Sequence, residues 1–135
     1  MTTCCEEYVA KLDEKNLRYQ REDANDGGDL IRIGFNNTRI VLHFPGSDDG
    51  RHMALRCVIE HCPDDKIADL LVVCNALNAK VRWIKFYIDS DGDIMAEDDA
   101  ILSPGTAGEE AFELMGRTVA IVDTSKPAIM RALYV

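Results

Sequence analysis

The sequence predicts an α+β fold in which an antiparallel sheet packs against helices. Three observations carry that prediction. Residues 29–59 alternate apolar and polar with period two through three successive segments. Residues 67–81 repeat apolar side chains at steps of three and four. Two further stretches, near each terminus, begin with a Thr followed three residues later by Glu.

The 135 residues fit one domain, spanning 1–135, with no internal repeat or linker. Lys and Arg number 15 against 24 Asp and Glu, a net charge of −9. That balance disfavours nucleic acid and anionic membranes as main partners. The start, MTTCCEEYVAKLDE, has neither the basic residues nor the apolar run of a signal peptide, and no apolar run could span a bilayer, so a cytoplasmic protein is expected. Five cysteines, two of them adjacent, make a poor disulfide framework. Cys57 and Cys74 fall within apolar patterns and read as small core residues.

In chain order, Thr3 and Glu6 form a capping box for a helix over residues 4–14, with Cys5, Val9 and Leu12 facing inward. Leu17–Glu22 alternates as a half-exposed strand, and Asp23–Gly28 is a turn whose oxygens lack calcium-loop spacing. Asp29–Phe35 and Thr38–Phe44 form a hairpin across Asn36-Asn37, a pair that tolerates left-handed dihedrals. This sets Ile33 opposite Ile40 and Ile31 opposite Leu42. After a loop at Pro45–Gly50, Arg51–Ile59 is expected to place Met53 opposite Leu42 and Leu55 opposite Ile40.

One face of this meander is then Ile31, Ile33, Phe35, Ile40, Leu42, Met53, Leu55 and Cys57. The other carries Arg32, Arg39, Arg56, His43 and His52 among Val41, Ala54 and Val58. A solvated face is the plainer reading of that second surface. The functional reading is a partly apolar, basic surface for an acidic or carboxylate-bearing partner. Arg39 beside Arg56, and His43 opposite His52, are the cross-strand neighbours expected there.

Pro63, Asp64 and Asp65 suit the first turn of a central helix with the stripe Ile67, Leu70, Leu71, Cys74, Leu77 and Val81. Asn75 and Asn78 lie one turn apart near its end. They read as helix termination with hydrogen bonds to the next strand, or as amides lining a pocket. Val81–Ile88, VRWIKFYI, is a strand with bulk on both faces: Ile84, Phe86 and Ile88 on one, Val81, Trp83 and Tyr87 on the other. Its second face is a candidate dimer or protein-binding surface. Asp89–Gly92 reads as a hairpin turn, and Glu97-Asp98-Asp99 as a hydrated acidic patch. Thr106 and Glu109 open a helix running to about Val122. Asp123–Lys126 interrupts it, and Pro127 starts a short final helix.

No GxSxG, P-loop, dinucleotide fingerprint or HExxH is present, and the sequence points to no catalytic residue, metal site or cofactor. The stretch LLVVCNALNAKVRWIKFYIDSDGDIMAE resembles the YbjN domain family, described as bacterial sensory transduction regulators. The matching features are Asn75 and Asn78 at a helix end, the strand Trp83–Ile88, Asp91-Gly92, and Ile94–Glu97. The cap at Gly105, Thr106 and Glu109 and the turn at Asp26–Gly28 extend the likeness over roughly Glu6 to Leu133. The resemblance implies a type III secretion chaperone-like fold, dimerisation and binding of peptide segments, with no catalytic residues carried over. The leading expectation is a non-enzymatic protein-binding or chaperone-like regulatory module, acting as a homodimer. Trp83, Tyr87, Arg32, Arg39 and Arg56 are its candidate surface. A small-molecule sensor using Asn75 and Asn78, or a structural assembly subunit, are the alternatives.

Overall fold

The computed structural model describes the backbone of all 135 residues and every side chain except that of Asp48, which lies in the Pro45–Gly50 loop, outside the described residues. Helix α1 (Thr3–Glu14) leads into strands β1 (Tyr19–Asp23), β2 (Asp29–Phe35), β3 (Thr38–Phe44) and β4 (His52–His61). Helix α2 (Ile67–Lys80), strands β5 (Lys85–Ile88) and β6 (Asp93–Ile101), and helix α3 (Ala107–Tyr134) complete the chain. The six strands form one antiparallel sheet in the order β1-β2-β3-β4-β6-β5. The fold is therefore α+β, an antiparallel sheet packed against helices.

The β2–β3 hairpin closes as the sequence predicts. Phe35 pairs with Thr38, Ile33 with Ile40 and Ile31 with Leu42. Asn36 and Asn37 both hold positive φ, 49° and 64°, the turn whose twist matches the flanking strands. The expected β3–β4 pairing is corrected by two residues: Leu55, not Met53, lies opposite Leu42, and Val41 opposite Arg56. A slip of two keeps every side chain on its face, so the inner and outer sets survive while the neighbours change. Arg39 and Arg56 are not direct partners, and His43 faces Ala54 rather than His52.

The helices cover one sheet face in two clusters. Tyr8 and Leu12 of α1 and Ala111, Met115 and Val119 of α3 pack on Ile31, Leu42, Met53 and Leu55. Tyr8 is fully buried and donates its hydroxyl to Met115 Sδ at 3.1 Å. Leu70, Cys74 and Leu77 of α2, with Val122, Ile129 and Leu133 of α3, pack on Cys57, Phe86, Ile94 and Ala96. All five cysteines are free and buried, and burial pushes the Cys5 thiol up to about 12, far from a reactive thiolate.

Four other expectations are corrected. The cap of α1 is Thr2, which accepts from the Cys5 N–H at 3.2 Å, rather than Thr3. Thr106 makes no side-chain cap for α3. Instead the Glu7 carboxylate accepts from the Gly105 and Ala107 N–H groups at 2.9 and 3.1 Å, an anion at the positive end of the helix. Gly108 allows that approach, since a Cβ there would stand 2.5 Å from the Glu7 carbonyl oxygen. The two C-terminal helices are one helix of 28 residues with Pro127 inside it. Buried Val122, Ser125, Ile129 and Leu133 keep one stripe across the proline, so burial outweighs its missing N–H. In α2, Leu71 is exposed rather than part of the stripe.

Candidate functional site

The sheet face away from the helices is bare. Gln20 and Glu22 of β1, Arg32 of β2, Arg39 and Val41 of β3, Arg56 and Val58 of β4, Met95 and Glu97 of β6, and Lys85 and Tyr87 of β5 share it by register. A shallow cleft of about 1100 Å³ crosses this face, with Arg18, Arg32, Arg39 and Arg56 around a floor that includes Val41, Val58 and Met95. Val58 is 58% exposed, which is unusual for a valine in the middle strands of a sheet.

The four arginines differ in what holds them. Arg32 pairs with Glu22 at 2.8 Å, both half-exposed. Arg56 donates to Glu97 at 2.5 Å, and Lys85 reaches the other Glu97 oxygen at 3.1 Å. Burial raises the Glu97 carboxyl, but the hydrogen bonds from Arg56 and Lys85 outweigh it and hold the group below the usual carboxylate range. Arg18 and Arg39 have no acidic partner among the described residues. The cleft is thus positive and half-apolar on a chain of net charge −9.

Of the sequence-predicted surface, Arg32, Arg39, Arg56 and Tyr87 come together on this face. Trp83 does not. The segment 81–84 is not strand; β5 starts only at Lys85. Ile84 N–H donates to the Arg82 carbonyl at 2.8 Å, a three-residue turn that puts Trp83 at φ 70°. A bulky residue in that region is strained, and the turn holds Trp83 outside β5, which starts two residues later. The indole is 57% exposed, and the Arg117 guanidinium lies 5.1 Å from its ring centre.

Asn78 sits where β5 would otherwise expose an edge. Its amide donates to the Phe86 carbonyl at 2.9 Å and accepts from the Phe86 N–H at 2.7 Å. One side chain thereby substitutes for a neighbouring strand. Asn75, one turn earlier, is exposed, and neither asparagine lines the cleft. At the Asp89 turn, Asp89 Oδ1 accepts from the Asp91 and Asp93 N–H groups at 3.0 and 2.9 Å, and Gly92 takes φ 80°. Among the described residues no group of three or more His, Cys, Asp or Glu could hold a metal ion. No described helix is long and apolar enough to cross a membrane.

Asp98 is the residue the sequence reading missed. Expected to be hydrated with Glu97 and Asp99, it points to the helix-covered face and is 5% exposed; Glu97, on the other face between Arg56 and Lys85, is buried as well. The Asp98 Oδ2 has no hydrogen-bond partner among the described residues. The available signal was period two: within a strand, Glu97 and Asp99 share a face that Asp98 cannot.

An antiparallel sheet with helices on one face is a fold this chain shares with several solved structures. The Yersinia pestis type III secretion chaperone SycH, solved in complex with a stable fragment of YscM2, matches with a TM-score of 0.51 at 11% identity, over 87% of this chain and 98% of that one. YbjN from E. coli matches with a TM-score of 0.64 at 10% identity, over 90% and 87%. An uncharacterized protein from Methanothermobacter thermautotrophicus matches at 0.65 and 14%, over 96% of both chains. No curated protein sequence matches the chain. The family model "YbjN: Putative bacterial sensory transduction regulator" matches residues 10–130, and the chain belongs to that family.

Proposed function

We propose that the chain is a non-enzymatic, chaperone-like protein-binding module that works as a homodimer and takes a partner's acidic or carboxylate-bearing segment on the bare sheet face. The observation that carries this reading is the cleft itself: four arginines, two of them without acidic partners among the described residues, around a partly apolar floor in which Val58 is exposed, on an acidic chain. Tyr87 lies on the same face, on β5 and two strands from Arg56 of β4, and adds an aromatic contact of the kind enriched at interfaces. Likeness of fold to SycH, which was solved holding a fragment of another protein, adds support. For the dimer, the support is α2, where Leu71 and Val72 are 53% and 70% exposed.

The test is affinity capture from the native cell extract with the wild-type chain and with the Arg18→Glu/Arg39→Glu variant. The expected result is an acidic partner held by the wild type and reduced at least about tenfold by the charge reversal, with circular dichroism unchanged. Recovery of the same partners in equal amount by both proteins refutes the cleft. Light scattering should give twice the 15.1 kDa chain mass, and a monomer at high concentration refutes the dimer.

A further inference from the structure

The two edges of the β5–β6 region are treated differently. Asn78 covers the Phe86 N–H and C=O on the outer side of β5. Because those two groups point away from β6, the ladder bonds between β5 and β6 fall at Lys85–Glu97 and Tyr87–Met95. Alternation then directs the backbone N–H and C=O of Asp99 and Ile101 to the same side as those of Glu97. β5, however, ends at Lys85, opposite Glu97, whereas β6 continues to Ile101 along β4. Asp98–Ile101 is a free edge four residues long, about 13 Å.

This gap holds a second cleft, of about 330 Å³, lined by Trp83, Ile84, Lys85, Glu97, Asp98 and Asp99. Asp98 lies within it, 95% buried by the complement of its 5% exposure, with Oδ2 unpaired. The cations around it are engaged elsewhere. Lys85 of β5 and Arg56 of β4 hold Glu97, Arg117 of α3 pairs with Glu113 at 3.0 Å, and His52 of β4 lies 3.8 Å from Asp99.

We propose that the free β6 edge at Asp98–Ile101 accepts an extended segment of another protein bearing a lysine or arginine, added as a strand in line with β5, with its cationic head on Asp98. Backbone bonds to the Asp99 carbonyl and to Ile101 would hold the segment, the Trp83 indole would wall it, and Asp98 would select the side chain. A second copy of this chain fits poorly, since two-fold pairing of the edge sets Asp98 and Asp99 against their own equivalents. Burial pushes the Asp98 carboxyl up to about 6, the Asp99 backbone N–H pulls it partly back, and the Asp99 carboxylate adds to the rise. A bound cation would reverse that shift, so binding weakens as pH falls through 6. The site is distinct from the arginine cleft and does not depend on it.

The test is nitrogen-15 NMR of the full chain titrated with three blocked peptides, Thr-Val-Lys-Val-Thr and its Gln and Glu counterparts. The lysine peptide should move the Asp99 and Ile101 amides and the Trp83 indole N–H saturably. The glutamate peptide should bind at least about tenfold more weakly. Asp98→Asn, which removes a buried charge and keeps the shape, should level the three. Absence of saturable shifts at Asp99 and Ile101 overturns the proposal, as does equal affinity for the lysine and glutamate peptides. Shifts at those amides that follow protein concentration without peptide make a second copy the occupant and overturn it too. None of these results alters the outcome for Arg18→Glu/Arg39→Glu, so the two readings fail separately.

Discussion

Replacing Asn78 with Ala removes two hydrogen bonds, of 2.9 and 2.7 Å, from the backbone of Phe86, a residue only 1% exposed. Each such bond contributes about 0.5–1.5 kcal/mol net, so the loss is about 1–3 kcal/mol before relief. Two effects reduce it. Alanine is the better helix former by about half a kcal/mol, and Asn78 is solvent-exposed, so water can reach part of the vacated position. The expected net loss is about 1–2 kcal/mol, or roughly 3–8 °C in Tm for a chain this size. Urea unfolding followed by circular dichroism measures the stability, and hydrogen exchange at the Phe86 amide localises it. Asn78→Asp should be at least as destabilising as Asn78→Ala, since it sets a carboxylate oxygen against the Phe86 carbonyl where the amide donated, near the C-terminal end of α2. Asn75→Ala, on an exposed amide, should stay within about 0.5 kcal/mol. If Asn78→Ala matches wild type and Phe86 exchange is unchanged, the edge-covering role is wrong.

Three further outcomes follow from the sheet and from α3. Asp98 titrates near 6 when folded, against the 3.8 of the free side chain, so the folded state binds the extra proton between those values. Its charge therefore costs stability above pH 6, by about 3 kcal/mol at most, and that cost fades as pH falls toward 4. Chemical denaturation from pH 7 to 5 should show this rise in wild type and a smaller one in Asp98→Asn. Glu97 acts oppositely: held below its usual range, it contributes stability above about 4.5 that is lost as pH falls further. Pro127→Ala restores the N–H that α3 lacks at that turn and should raise stability by about 1 kcal/mol or more, read by thermal unfolding.

What was legible in the sequence was mostly what burial alone decides. The inner and outer faces of β2, β3 and β4 follow from period two, and Asn36-Asn37 fixes the first hairpin. Period two cannot distinguish registers two residues apart, however, so the β3–β4 pairing depended on a seven-residue connection whose path no local pattern records. Trp83 has strong strand propensity and yet leaves the strand, because the turn around it is set by where α2 ends and Asn78 meets Phe86. Pro127 read as a helix start because its local chemistry suits one. Only the continuing stripe Val122, Ser125, Ile129 and Leu133 shows that tertiary packing carries the helix through. The arginines of the bare face were visible individually. Which of them are neutralised was not, because Glu97 arrives from a strand 41 residues away and Glu22 reaches Arg32 diagonally across β1 and β2.

Helix α3 contributes Ala111, Met115 and Val119 to one cluster and Val122, Ile129 and Leu133 to the other. Strand β4 does the same on the sheet side, with Met53 and Leu55 in the first and Cys57 in the second. Two cores that share both a roof beam and a floor beam cannot melt one at a time without tearing continuous hydrogen-bonded structure. Damage at either end of the sheet is consequently distributed over the whole molecule, and unfolding becomes a single cooperative event.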